Sequence, residues 1–383
     1  MNLPKKLTIK LQSREENNSL RSLKTPSNLV DFSSNDYLGF AKSEAVFDAT
    51  HQLLIDQHRK QNGATGSRLL SGNHMLYSEV ETVLANFHQS EAATIFNSGY
   101  DANIGFFSAV PQRGDFILYD EFIHASIRDG IQLSKAKSFK FKHNNLAALN
   151  SLLLRYSERT SEPRQEIYVV TETVFSMDGD TPDLVKVSEL CKKYNAFLIV
   201  DEAHAVGVFG KNGCGVIQEL QIEKAIFARI ITFGKGLGCH GAAILGSSQL
   251  QQYLVNFARS FIYTTGLSPH SLATVKTVYG ALLLDTKKQQ KLQENIQHFT
   301  FEVKRLHLNF IKSNSAIHCC IISGTKKVKS ISEKLQEKGF EVKAILAPTV
   351  KENQERLRFC LHSYNSKKEI SEVLHLLSIF VSE

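Results

Sequence analysis

Three residues of this chain are placed as though to do chemistry together. Lys235 lies in ITFGKGLGCHGAA, just past an apolar run and among glycines at 234, 236, 238 and 241. Asp201 closes the apolar run of FLIVDEAHAVGVFG, and His204 follows three positions later. Each has an ordinary alternative. A turn lysine is usually solvated, and an aspartate after a strand can simply cap the next turn. The chemical reading is a reactive amine among glycines that let a ligand approach closely, and a carboxylate aimed at a cationic ring nitrogen.

A carboxylate and an amine on neighbouring strand ends meet the needs of pyridoxal phosphate. The lysine can form a Schiff base, and the aspartate can keep the pyridine nitrogen protonated so that the ring absorbs carbanion electrons. The phosphate needs its own site. Asn97-Ser98-Gly99-Tyr100 stands between a strand and a helix, where backbone N–H groups and the helix dipole favour an anion. Taken alone, that tetrapeptide reads as a turn. Thr232, Thr264 and Thr265 offer hydroxyls. His124 follows the strand DFILYD and is suited to lie on a cofactor ring, its alternative being a satisfied histidine at a helix start. Ser176 in TETVFSMDGD and His204 could both reach the ring's phenolic oxygen.

The elements that must hold these residues alternate from about residue 75. Apolar positions 76, 80, 83, 84 and 87 have helical spacing over 75–89. Strands are expected at 93–96, 115–120, 167–174 and 196–200 and in ARIITF and GAAILG, with helices opening at SGYDANIG, over 125–133 and in LVKVSELCKKY. This alternation predicts an α/β fold with a mostly parallel central sheet, whose ligands sit beyond the carboxyl ends of the strands. Long helices are expected over 269–313, then a smaller α+β part with strands at 319–323, EVKAI and 356–361 and helices at 328–338 and from 367. The divisions expected are an N-terminal arm (1–40), a large domain (41–285) and a small C-terminal domain (286–383).

Composition agrees with a globular enzyme. Of 383 residues, 42% are hydrophobic and 22% charged, proportions usual for soluble domains. No apolar run is long enough to span a membrane. The N-terminus lacks the apolar segment of a secretory signal, so a cytoplasmic protein is expected. The six cysteines at 191, 214, 239, 319, 320 and 360 form no metal-ligand spacing, and no metal site is expected. The net charge of +7 suits anionic partners, but the basic residues are dispersed, with no nucleic-acid signature.

The joint order of DFSSNDYLGF, GATGSRLLSGNHMLYSEVE, FNSGYDAN, VTETVFSMDGD, VDEAHAVGVFG, ITFGKGLGCHGAA and RLRFCLH resembles the α-oxoamine synthases, a family of fold-type I pyridoxal-phosphate enzymes. The resemblance runs from about residue 20 nearly to the C-terminus. It implies an aspartate-aminotransferase-like fold, a homodimer with sites at the interface, and a decarboxylative condensation of an amino acid with an acyl thioester. The Phe-Gly-Lys form of the lysine motif leans towards the branch that makes 8-amino-7-oxononanoate for biotin from L-alanine and a pimeloyl thioester of CoA or a carrier protein. Sister activities would use glycine or serine with another acyl chain, and a noncatalytic binding subunit is the reading from a different class.

Carried over position by position, the resemblance makes Lys235 the cofactor lysine, Asp201 the pyridinium partner and His124 the stacking residue. Ser176 and His204 fall at the phenolic oxygen, and Ser98, Gly99, Tyr100 and Thr232 at the phosphate. Thr264 and Thr265 would reach the phosphate of the dimer mate, and the loop 63–74 would cross to the partner's site. Asn35, Arg21 and Thr349 fall near substrate. One position departs. KAILAPTV holds Leu346 where the family carries an arginine that clamps the substrate carboxylate. Arg356 and Arg358 are the nearest candidate replacements.

Overall fold

A computed structural model of the chain describes residues 3–23, 28–158 and 165–383. Its strands, in chain order, are β1 (Val30–Asp31), β2 (Ala92–Phe96), β3 (Phe116–Asp120), β4 (Lys137–Phe141), β5 (Ile167–Glu172), β6 (Phe197–Asp201), β7 (Ala228–Thr232), β8 (Ala242–Gly246), β9 (Ile317–Ile321), β10 (Phe340–Glu341), β11 (Lys343–Ile345) and β12 (Arg356–Cys360). The chain separates into two units. One comprises Met1–Ser34, Met177–Gly179 and Leu292–Glu383; the other comprises Asn35–Ser176 and Asp180–Lys291. The breaks fall after 34 and 291, against 40 and 285 drawn from the sequence.

The larger unit is built on a seven-stranded sheet in the order β2-β8-β7-β6-β5-β3-β4. Only β8 runs against its neighbours. The loop 233–241 from β7 to β8 is too short for the crossover that a parallel pair requires, so the chain must turn straight back. Lys235 sits in that loop.

Alternation along each strand feeds two cores. Ile117, Tyr168, Val170, Ile199 and Ile230 join Phe106, Phe107 and Ile127 on one face. Leu118, Val169, Leu198 and Val200 join Leu149, Leu153, Leu184 and Val187 on the other. With both faces covered, these strands read as continuous apolar runs, which made them visible in the sequence. β4 was not visible. Its KSFKF is mostly exposed, and lysines on an edge strand discourage further pairing. The helix Leu146–Ser157 that follows it was also missed.

In the smaller unit β11, β12 and β9 form an antiparallel sheet, and β1 pairs with β10 in parallel. The Cys360 N–H also donates to Phe32 O at 2.8 Å. Residues 30–32 are thereby hydrogen-bonded to the C-terminal part of the chain. The helix expected to reach residue 313 ends at Arg305. The final helix, Lys367–Ser382, opens with a capping box between Ser366 and Glu369. Among the described residues no helix is long and apolar enough to cross a membrane.

Candidate active site

Four adjacent parallel strands end on polar residues: β3 on Asp120, β5 on Glu172, β6 on Asp201 and β7 on Thr232. Burial of the preceding apolar residues fixes the register, so these last positions emerge together at the carboxyl edge of the sheet. Loops from this edge bring in Lys235, His204 and His124.

Lys235 Nζ lies 2.8 Å from His204 Nε2, and His204 Nδ1 lies 2.7 Å from Tyr37 Oη. Tyr37 in turn donates to Asn35 Oδ1 at 3.2 Å. Both ring nitrogens of His204 are thus engaged, Nε2 by the Lys235 amine and Nδ1 by the Tyr37 phenol. Two of the glycines near Lys235 serve the protein's own backbone. A Cβ on Gly236 would stand 2.6 Å from Val206 O, and one on Gly238, at φ +60°, would stand 2.2 Å from Ala41 N. For these two the expectation of ligand clearance is corrected: they let the loop pack against residues 206–207 and 40–41. A Cβ on Gly234, by contrast, would come no closer than 3.4 Å to another atom, Cys239 O.

Asp201 is buried. Its Oδ1 accepts from the Ala203 N–H at 2.9 Å and its Oδ2 from Asn103 Nδ2 at 3.1 Å. Asn103 Nδ2 also reaches Ser126 Oγ at 3.0 Å, and Ser126 Oγ lies 2.8 Å from His124 Nδ1. That Nδ1 accepts from the Ser126 N–H as well, so His124 caps the helix Ala125–Leu133. It is both a helix-start histidine and a member of the site. Burial and the neighbouring Lys235 charge hold its pKa below the ordinary histidine value, which keeps the ring neutral with its hydrogen on Nε2.

Glu172, which the sequence reading passed over, pairs with Asp201 across β5 and β6. Its Oε1 accepts the His124 N–H. Complete burial, then the Asp201 charge, push its pKa well above the carboxylate range. Asn103, Ser126 and Tyr37 were missed too. Asn103 and Tyr37 lay in quoted motifs, FNSGYDAN and DFSSNDYLGF, but nothing in their spacing marked them as partners of Asp201 and His204.

The anion site has a testable geometry. Thr232 Oγ1 is buried and has no hydrogen-bond partner among the described residues. A Cβ on Gly99 would stand 2.5 Å from Thr232 Cγ2, so the methyl of the Thr232 side chain lies against the start of the helix Gly99–Ala109. The first N–H groups of a helix have no acceptor within it. A hydroxyl and backbone amides that the protein leaves unpaired at one point fit a phosphate. Ser98 is already occupied as the N-cap: its hydroxyl accepts from Asp101 N–H at 3.0 Å and donates to Asp101 Oδ2 at 2.9 Å. Tyr100 donates to Asp129. Asn97 Nδ2 donates to Thr264 Oγ1 at 3.0 Å and to Thr265 O at 2.7 Å, so both threonines contact Asn97 of their own chain.

Ser176 is half-buried beyond β5. Arg21 and Thr349 belong to the smaller unit and are exposed there. Thr349 N donates to Leu346 O at 3.0 Å. Arg356 is committed elsewhere. It is buried, ion-paired with Asp178, and donates to Met177 O and Gln354 O, both at 3.0 Å. Arg358 Nη1 reaches Cys360 Sγ at 2.8 Å. Among the described residues no cluster of His, Cys, Asp and Glu is arranged to hold a metal.

Residues 27–377 match the family described as aminotransferase class I and II. The chain belongs to that family. Within it the chain is an α-oxoamine synthase: the 8-amino-7-oxononanoate synthase of Emericella nidulans is 39% identical over 97% of this chain and 94% of its own length. Among solved structures, serine palmitoyltransferase from S. paucimobilis with bound PLP and myriocin superposes with a TM-score of 0.87 at 25% identity, over 98% of this chain and 96% of that one. The 8-amino-7-oxononanoate synthase from Francisella tularensis gives 0.78 at 30% identity, over 92% and 98%. These likenesses share the fold-type I architecture, with its largely parallel sheet and smaller C-terminal unit.

Proposed function

We propose that the chain is a pyridoxal-phosphate-dependent 8-amino-7-oxononanoate synthase, condensing L-alanine with a pimeloyl thioester of CoA or a carrier protein. The observation that carries the proposal is the Lys235 amine, 2.8 Å from His204 Nε2, on the same carboxyl edge as Asp201. Identity of 39% over nearly the whole chain to a synthase of that name supports it. Thr232 and the N–H groups of Gly99 and Tyr100 would hold the phosphate, Asp201 the pyridine nitrogen, and Lys235 the carbonyl carbon. When bound, the cofactor supplies an electron sink for a carbanion at the amino acid's α-carbon.

The protein's part is to move protons and fix orientation. Lys235 Nζ takes the α-proton of alanine as general base. His204, fixed by Tyr37, accepts a hydrogen bond from that amine and holds it in place. His124, neutral and braced by Ser126, presents a flat apolar face to the ring. The α-carbon then bonds to the acyl carbon, the thiolate leaves and takes up the proton held on Lys235, the carboxylate departs as CO₂, and a proton drawn from solvent is delivered to the α-carbon. In the dimer we propose, Thr264, Thr265 and the loop 63–74 serve the partner's site, while Arg21, Asn35 and Thr349 face substrate.

A second reading, serine as the amino acid, is supported by two observations. Leu346 stands where an arginine clamp is expected, and a serine palmitoyltransferase superposes at a TM-score of 0.87. A visible absorption titration of the cofactor-loaded protein separates the readings. A band that changes saturably with L-alanine, and not with glycine or L-serine, is the expected result. Selective response to serine would move the function to the sister activity. No visible band at all would overturn the enzymatic reading.

A further inference from the structure

His143 lies outside every motif of the sequence reading, two residues beyond the edge strand β4. Its ring nitrogens each meet a carboxylate: Nδ1 lies 2.9 Å from Asp120 Oδ1 and Nε2 lies 2.8 Å from Asp180 Oδ2. Both nitrogens must donate, so the ring is an imidazolium. Phe122 stacks on it at 4.4 Å and Phe175 meets it edge-on at 4.5 Å. Asp120 Oδ1 also accepts the Phe122 N–H at 2.8 Å, and Asp120 Oδ2 accepts the Asn144 N–H at 2.8 Å. Asn144 Nδ2 donates to Asp180 Oδ2 at 2.7 Å, and Phe175 N–H donates to Asp180 O at 3.0 Å.

One ring thus touches two segments. Phe122 lies two residues before His124, while Phe175 and Asp180 flank Ser176. We propose that His143 is a positioning residue, an ion-paired strut that ties the loop carrying His124 to the segment carrying Ser176. The proposal rests on the reading of His124 and Ser176 as cofactor contacts. Asp120, Asp180 and Glu121, whose Oε1 accepts the His143 N–H at 3.4 Å, are the charged groups facing the ring. Burial opposes its charge, but the hydrogen bonds to Asp120 and Asp180 prevail and raise its pKa to about 10. The strut is therefore charged through the neutral range.

The test is hydrogen exchange on the protein without cofactor, comparing the parent with His143→Gln. Exchange about tenfold faster in peptides covering 121–126 and 173–182, with the β6 and β7 peptides unchanged, is expected, since local opening reports local constraint. In the loaded enzyme the circular dichroism of the cofactor band should weaken, and kcat should fall about tenfold while KM for alanine stays within about twofold, the signature of misplaced groups. Parent-like exchange in both segments, or a uniform rise across the unit, would overturn the proposal. Should His143→Gln not fold, Asp180→Asn cuts one link only. Faster exchange at 173–182 alone then supports the strut, and none overturns it. A Lys235→Ala variant separates the two claims. If it keeps the visible band, the site reading fails. If it loses the band while His143→Gln exchanges like the parent, only the strut fails.

Discussion

The Lys235 amine and His204 Nε2 stand 2.8 Å apart, with Tyr37 fixing the imidazole from its other nitrogen. An imidazole engaged at both nitrogens is held in one orientation beside the amine. Tyr37 is itself held by its hydrogen bond to Asn35 Oδ1 at 3.2 Å.

Removing that phenol should affect turnover more than binding. Tyr37→Phe removes the phenol hydrogen-bonded to His204 Nδ1, and kcat should fall about tenfold, a modest share of what a positioned proton-transfer group contributes. Steady-state kinetics at matched cofactor loading make the measurement. An unchanged kcat would mean that the phenol only fills space.

Thr232 permits a sharper separation of stability from cofactor affinity. Its buried hydroxyl has no partner among the described residues, so Thr232→Val should leave the cofactor-free protein within about 0.5 kcal/mol of the parent, or slightly more stable. The same change should weaken pyridoxal phosphate binding at least about tenfold, because a charge-assisted hydrogen bond is lost. Thermal denaturation without cofactor and equilibrium titration with it provide the two readouts. Equal affinity in both proteins would remove Thr232 from the phosphate site.

Arg356 should prove to be structural. Its guanidinium and Asp178 are both largely buried, and breaking such a pair from one side costs about 3–5 kcal/mol because the other charge stays behind. Arg356→Gln should lose that much by urea denaturation, and combining Arg356→Met with Asp178→Asn should recover most of it. Parent-like stability of Arg356→Gln, together with a large rise in the KM for alanine, would instead mark Arg356 as a substrate clamp.

Acid should destabilise the smaller unit. His318 is buried on β9 against Phe299 at 4.5 Å, and burial depresses its pKa from 6.5 to about 4. Above the unfolded pKa neither state binds the proton, and stability is unaffected. As pH falls from 6.5 towards 4 the unfolded chain binds it first, and stability declines by up to about 3 kcal/mol. His318→Phe should flatten the denaturation midpoint over this interval. An unaltered pH slope would assign the acid sensitivity to other groups.

The buried strands and the order of the motifs were legible because physics wrote them locally. A strand covered on both faces must be apolar throughout, and a residue that serves the edge of the sheet must come where the apolar run stops. Lys235, Asp201 and His124 were singled out by their place after such runs, and His204 and Thr232 by their spacing from Asp201 and Lys235. β4 escaped because an edge strand needs no such run, and with it escaped His143.

The sequence by itself determined the α/β alternation, the family, and which residue types stand at the strand ends. Only the tertiary structure decided the partners: His204 with Lys235, Asn103 with Asp201, Glu172 beneath His124, and Arg356 with Asp178 rather than with a substrate. Residues 103 and 201, or 37 and 204, carry no mark of each other along the chain. Their meeting depends on strand order and on loops whose glycines fit against distant backbone, as Gly236 does against Val206. Hydrogen bonding acts over about 3 Å, and only the folded chain brings such pairs within that reach.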